Sequence, residues 1–178
     1  MDFREITAYE LGNSQKMIGK DWMLITIEDK EKGKVNAMTA SWGTMGVLWN
    51  KCVCICFIRP QRYTYGLAEE ADRFSLAFFD GDAHKDALRL CGRESGRDMD
   101  KLGECGLHTE MLDGVSVISE ADTVIVCRKL YVDDLKEECF LDDEALSHYE
   151  KKDFHRAYVC EIEKVYVKKI NGVDYGTL

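Results

Sequence analysis

The chain has very little proline, with Pro60 alone among 178 residues, and this excludes Pro-rich linkers and recognition tails. No apolar run reaches the ~18 residues that a membrane-spanning helix needs. The opening Met1-Asp2-Phe3-Arg4-Glu5 is charged at once and has no secretory apolar stretch. No Asn-x-Ser/Thr sequon occurs, so the expectation is a cytoplasmic protein with no membrane association. Basic residues are outnumbered, 24 against 33 acids, for a formal charge of −9. That balance argues against a protein that works on nucleic acid or on an anionic surface. Gly-x-Gly-x-x-Gly, a Walker loop, Gly-x-Ser-x-Gly and Cys-x-x-Cys are all absent.

What is present is an ordinary globular mixture, 46% hydrophobic and 32% charged, at a length that suits one domain over 1–178. There are eight cysteines, an even number, but a disulfide framework belongs to small secreted chains. Cys52, Cys54 and Cys56 alternate, which puts them on one face of a strand at about 6–7 Å per step. Thiolates on one zinc sit closer than that, so buried thiols are expected and no metal site. His84, His108, His148 and His155 show no metal spacing either.

Strand patterns dominate. They cover Trp22 to Ile27, Val35 to Trp42, Val53 to Ile58, Phe74 to Phe79 and Thr123 to Val132, with Gly43 and Gly46 breaking the chain after the second. In a last strand, Tyr158, Cys160 and Ile162 face opposite Glu161 and Glu163, and the pattern continues through Val165 and Val167. Helices are short. Pro60 suits a first helical position ahead of Tyr63 and Leu67, and Asp82 and Asp98 suit caps. The Asp98 helix would stop at Gly106, and a weaker pattern covers Asp142 to Tyr149. Without a βαβ rhythm, these elements favour a mainly β fold, an antiparallel barrel with short helical insertions.

Three segments stand out. In Asn36-Ala37-Met38-Thr39-Ala40-Ser41-Trp42-Gly43, small residues allow a flat ligand close to the backbone and Trp42 can pack on it. The same residues also read as a strand entering a hairpin, with Trp42 in the core. In Arg59-Pro60-Gln61-Arg62-Tyr63-Thr64, two arginines and a hydroxyl meet at a helix start, which makes either a phosphate site or a surface arginine pair matched to acids. In the third, Lys85, Arg89, Arg93, Arg97 and Lys101 recur every four residues, but Gly92 and Gly96 interrupt any single helical stripe.

In order along the chain, these segments resemble the flavin reductase family with the FMN-binding split barrel, and within it the flavoredoxin-like branch. Phe78-Phe79, Ser95 to Lys101 and the spacing of His155, Tyr158, Glu161 and Ile162 extend the resemblance. The resemblance implies a small split β-barrel, a homodimer and non-covalent FMN. It places Asn36, Met38, Thr39, Ala40, Ser41 and Trp42 along the isoalloxazine. It places Arg59, Arg62, Tyr63 and Thr64 at the phosphate and ribityl chain, Ser95 and Lys101 near the ring, and His155 at a late matching position. Gln61, where a small hydroxyl residue is common, and the run Cys52, Cys54, Cys56 depart from the pattern.

The implied activity is electron transfer from transiently bound NADH or NADPH, through FMN, to flavin or another acceptor. The alternative is a flavoredoxin-like carrier that serves a redox protein. Either way the cofactor carries the chemistry and no catalytic side chain is expected. Lys101 is the candidate cation for the ring's pyrimidine end; its competing reading is a solvated lysine balanced by Asp98 and Asp100.

Overall fold

The computed structural model describes residues 3–169; Met1, Asp2 and 170–178, which the N-terminal reading and the 1–178 domain include, lie outside them. In chain order the elements are β1 (Phe3–Ile6), α1 (Ser14–Lys16), β2 (Met23–Asp29), β3 (Lys34–Ala40), β4 (Gly43–Leu48), β5 (Lys51–Ile58) and α2 (Tyr63–Glu70). They continue as β6 (Arg73–Phe78), α3 (Lys85–Arg93), α4 (Lys101–Glu104), β7 (Thr109–Leu112), β8 (Val115–Ile118), β9 (Thr123–Asp134), α5 (Asp143–Ser147) and β10 (Arg156–Lys168).

Eight strands form one antiparallel sheet in the order β3-β2-β6-β9-β10-β5-β4, with β1 beside β10. The long β10 shares one side between two partners. Arg156 to Glu161 pair with β5, and Val165 to Lys168 pair with β1. Its register against β9 slips at Val159/Cys160 and at Ile162/Lys164. The second slip flips the pleat, so Val165 faces the same interior as Tyr158 and Cys160.

The sheet is not closed, which corrects the expected barrel. β3 and β4 are its two ends and are joined only by Ser41 and Trp42, yet they form no ladder. Gly43 explains the turn: a Cβ there would lie 2.8 Å from the Ile55 carbonyl, so the backbone presses onto β5 rather than extending along β3. Reading Gly43 and Gly46 as breaks missed β4 itself, and β1, β7 and β8 were also missed. The β4–β5 hairpin turns through Trp49 and Asn50, both left-handed, as a two-residue hairpin demands.

One face of the sheet encloses a core that includes Met23, Ile25, Met38, Phe74, Leu76 and Tyr158. Cys54, Cys56, Cys127 and Cys160 pack there as well, with Cys54 Sγ 3.2 Å from Cys127 Sγ. All eight cysteines are free thiols; Cys52 is half-buried and Cys139 exposed. The opposite face buries Leu24, Ala37, Ala77 and Val126 under α3, α4 and the β7–β8 hairpin. Among the described residues, no helix is long and apolar enough to cross a membrane, and no cluster of His, Cys, Asp or Glu is arranged to hold a metal.

Three helix starts differ from expectation. Pro60 lies in the turn before α2, and Arg62 is its N-cap. His84 precedes α3, while Asp82 sits earlier and accepts Lys85 N–H through its carbonyl. Asp100, not Asp98, caps α4, and its carboxylate accepts from Gly103 N–H at 3.2 Å. Asp98 is held in the turn that follows Ser95, its N–H 3.1 Å from the Ser95 carbonyl.

Candidate functional site

Two clefts meet where the end of β3 passes the start of α2. The first, about 200 Å³, is lined by residues 38–42, Phe57, Arg59, Arg62 and His155. The second, about 250 Å³, is lined by residues 61–64 and 93–98 and by Lys101. Arg62 lines both.

The first cleft is built on the strand end. Met38 and Ala40 face the core, and the Thr39 hydroxyl on the other face donates to the Leu88 carbonyl of α3 at 2.5 Å. This anchors the β3 edge to a helix, and the small Ala40 and Ser41 leave backbone near the opening. Trp42 is 42% exposed, so it walls the cleft rather than filling the core. Its ring lies 5.2 Å from those of His148 and His155. Arg59 is engaged on its far side: it pairs with Asp153 at 2.5 Å, donates to the His148 carbonyl at 3.1 Å and stacks on Tyr149. That ion pair holds the Asp153 carboxyl below the usual range. His155 is buried, and desolvation, helped by the Arg59 charge, pushes its pKa down to about 4.

The second cleft is made of loops and cations. Tyr63 and Thr64 open α2, where the first helical N–H groups lack intrahelical acceptors. The Tyr63 hydroxyl donates to Asp29 and holds that carboxyl low, while Lys32 and Arg97 sit over the Tyr63 ring. Thr64, 1% exposed, accepts from Asn36 Nδ2 at 2.8 Å, which leaves its own hydroxyl proton to donate. The other end of the Asn36 amide, Oδ1, is buried with no partner among the described residues. Gly96 covers that amide closely; a Cβ there would sit 2.0 Å from Oδ1 and 3.2 Å from the Tyr63 ring.

Lys101 is 4% exposed, which removes the solvated reading. Its one hydrogen bond is to the Cys91 carbonyl at 3.3 Å, an oxygen it shares with Arg62 Nη2, also at 3.3 Å. Burial lowers the pKa of both cations. Ser95 lies on the same wall, its Oγ accepting from Arg97 N–H.

The structure therefore divides the expected set. Met38, Thr39, Ala40, Ser41, Trp42, Arg59 and His155 belong to the first cleft, and Tyr63, Thr64, Ser95 and Lys101 to the second. Arg59 and Thr64, both placed at the phosphate and ribityl chain by the resemblance, do not share a cleft. Asn36 lines neither and reaches the second cleft only through its hydrogen bond to Thr64. Sequence reasoning missed Phe57, Gly96, Tyr149 and Asp153. Of these only Gly96 left a signal, a glycine that breaks a run of regularly spaced cations.

A family model described as "Flavin reductase like domain" matches residues 18–174. In structure the chain is similar to the FMN-binding domain of a flavin reductases-like enzyme from Shewanella baltica OS155, at TM-score 0.67 and 12% identity over 93% of this chain and 77% of that one. It is also similar to flavoredoxin from Methanosarcina acetivorans, at TM-score 0.63 and 21% identity over 83% and 68%. A third is the styrene monooxygenase flavin reductase from Pseudomonas putida S12, at TM-score 0.61 and 13% identity over 83% and 79%. At these identities the likeness is one of fold. Comparison with curated proteins gives no match.

Proposed function

Since the chain belongs to the flavin reductase-like family, we propose that it binds FMN across the two clefts and passes electrons from a reduced nicotinamide to a flavin or another acceptor. The observation that carries this is the joining of two chemically different clefts through Arg62. One suits a flat ring and the other an anion.

The residues fit the group on structural grounds. The second cleft holds four cations, Arg62, Arg93, Arg97 and Lys101, against Glu94 and Asp98, with three hydroxyls and a helix start, inside a chain of net charge −9. Lys101 is a buried cation whose one hydrogen bond among the described residues is weak, so an anion beside it would offset the cost of burying it. Arg62, Thr64, Ser95 and Lys101 hold the phosphate, and Asn36 aims the Thr64 hydroxyl at it. Residues 38–42 seat the ring along backbone and small side chains, with Trp42 as a wall. This moves Arg59 from the phosphate to the first cleft, where it ties the segment carrying His148 and Tyr149 to the site. Bound FMN supplies hydride and single-electron chemistry. The chain's own residues orient it and exclude water from one ring face, while the half-exposed Trp42 side admits the partner.

A homodimer forms part of the same reading. β4 is an edge strand exposed for most of its length, and Val47 within it and Trp49 just after it are 63% and 55% exposed. The other edge, β3, is fastened to α3. Light scattering should give twice the chain's 20.4 kDa, and the monomer mass with FMN bound would oppose it.

A second reading, an FMN electron carrier that serves protein partners, is supported by the flavoredoxins among the structural neighbours. Anaerobic addition of NADH and of NADPH to the FMN-loaded protein separates the two readings. Rapid bleaching of the flavin bands supports the enzyme. A yellow protein reduced only by a protein donor supports the carrier, and a protein that takes up no FMN removes both.

A further inference from the structure

His155 carries more information than its place in the first cleft. Tyr149 Oη lies 2.8 Å from His155 Nδ1. Tyr149 is buried, and its hydroxyl has no other partner among the described residues. Were Nδ1 protonated, the tyrosine proton would be left without an acceptor in a buried place, which is costly. The arrangement that satisfies both groups has Tyr149 donating to Nδ1, with the imidazole proton on Nε2. No protein acceptor meets Nε2 among the described residues, although the ring lines the cleft.

The surroundings hold this state. Trp42 packs on one side of the imidazole and Phe57 on another, edge-on at 6.3 Å. Tyr149 is itself fixed by stacking on Phe154 at 5.0 Å and by the Arg59 guanidinium over its ring. The charged and titratable groups around the imidazole are Arg59, its partner Asp153, His148 and Tyr149. Burial disfavours a charged imidazole and Arg59 opposes a second positive charge on it, in keeping with the depressed pKa.

We propose that the first cleft receives a second reactant through a carbonyl or carboxamide oxygen that accepts from His155 Nε2–H, and that Tyr149 is the residue positioning this donor. A neutral N–H suits such an oxygen, because it gives a directed hydrogen bond without attracting free anions. That this molecule gives electrons to a bound flavin, or takes them from it, rests on the function proposed above. The hydrogen bond itself does not.

The test uses protein labelled with ¹⁵N-histidine and saturated with FMN. Long-range ¹H–¹⁵N correlation should show His155 as the neutral Nε2–H tautomer from pH 6 to 8, and Tyr149→Phe should give a mixture of tautomers. Nicotinamide is the carbonyl-bearing probe, and 3-methylpyridine is the control without a carbonyl. Tyr149→Phe should weaken nicotinamide in proportion to the rings that leave the Nε2–H tautomer, about twofold for an even mixture, and leave 3-methylpyridine unchanged. A Nδ1–H tautomer or an imidazolium in the wild type overturns the proposal, and that measurement needs no variant. Equal weakening of both probes overturns it as well. If FMN fails to bind, the flavin reading falls, while the tautomer and the probe ratio, measured without FMN, still decide this one.

Discussion

The first cleft is walled by a strand end and aromatic rings, the second by loops and cations, and the two hold their polar groups differently. In the first cleft the charge is matched by the protein: Arg59 has Asp153 and the His148 carbonyl, and the neutral His155 meets Tyr149 at Nδ1 and keeps only Nε2–H to offer. In the second the polar groups are left short. Among the described residues Lys101 has one carbonyl, and Thr64 keeps a spare proton. A region whose charges are matched is ready to receive a neutral surface, and a region whose cations are left short suits a charged one. Under the proposed function this difference, rather than composition, separates ring from phosphate, because both regions carry arginine.

If this contrast is real, acid should strike the first cleft hardest. His155 takes up a proton near 6.5 when unfolded and near 4 when folded, so between those values the unfolded chain binds more protons. Stability without cofactor should thus fall as pH drops from about 6.5 to 4, by about 3 kcal/mol. In His155→Phe this fall should largely vanish, as read by urea unfolding across that range. An unchanged slope would mean that His155 titrates freely and that the first cleft is not closed around it.

A smaller effect is expected from Gly96→Ala. The added methyl collides with the Asn36 amide and the Tyr63 ring, an overpacking cost of about 2 kcal/mol. Unfolding temperature should fall, and FMN affinity should fall with it, because the collision displaces the group that aims Thr64. Loss of stability with FMN affinity intact would detach Asn36 from the second cleft.

Lys101→Met should give about a tenfold loss in FMN affinity, the low end for a charged hydrogen bond. The cofactor-free protein should instead become more stable, since a buried charge is removed. The wild type carries a pH signature of that charge. Its folded pKa lies below the ordinary lysine value, so the unfolded chain holds the extra proton between the two and stability rises with pH across that window. The variant should lack that rise. A redox titration completes the comparison: affinity intact with the flavin potential shifted would place Lys101 at the ring instead.

The inward faces of the main strands were legible in the sequence because period-two burial acts locally, whereas the three helix starts were each misplaced by a few residues. Tyr158 and Cys160 faced inward as read, and Thr64 did open a helix. The open sheet was not legible. Whether β3 and β4 pair depends on Gly43 meeting the Ile55 carbonyl, a contact no local pattern encodes. Nor could spacing show that Arg59 turns toward Asp153 while Arg62, three residues on, spans the clefts. Tyr149 was hidden for the same reason: its worth lies in a hydrogen bond to a histidine six residues away across a turn.

The division of labour between the clefts is tested most directly by titrating the protein with FMN and with riboflavin, which differ only in the phosphate. FMN should bind the wild type more tightly by several kcal/mol, about 3–6 for two charged contacts. In an Arg62→Ala, Thr64→Val double variant its affinity should fall toward that of riboflavin, while riboflavin barely changes. Equal binding of the two ligands by the wild type, or a double variant that loses both alike, would contradict a phosphate held in the second cleft.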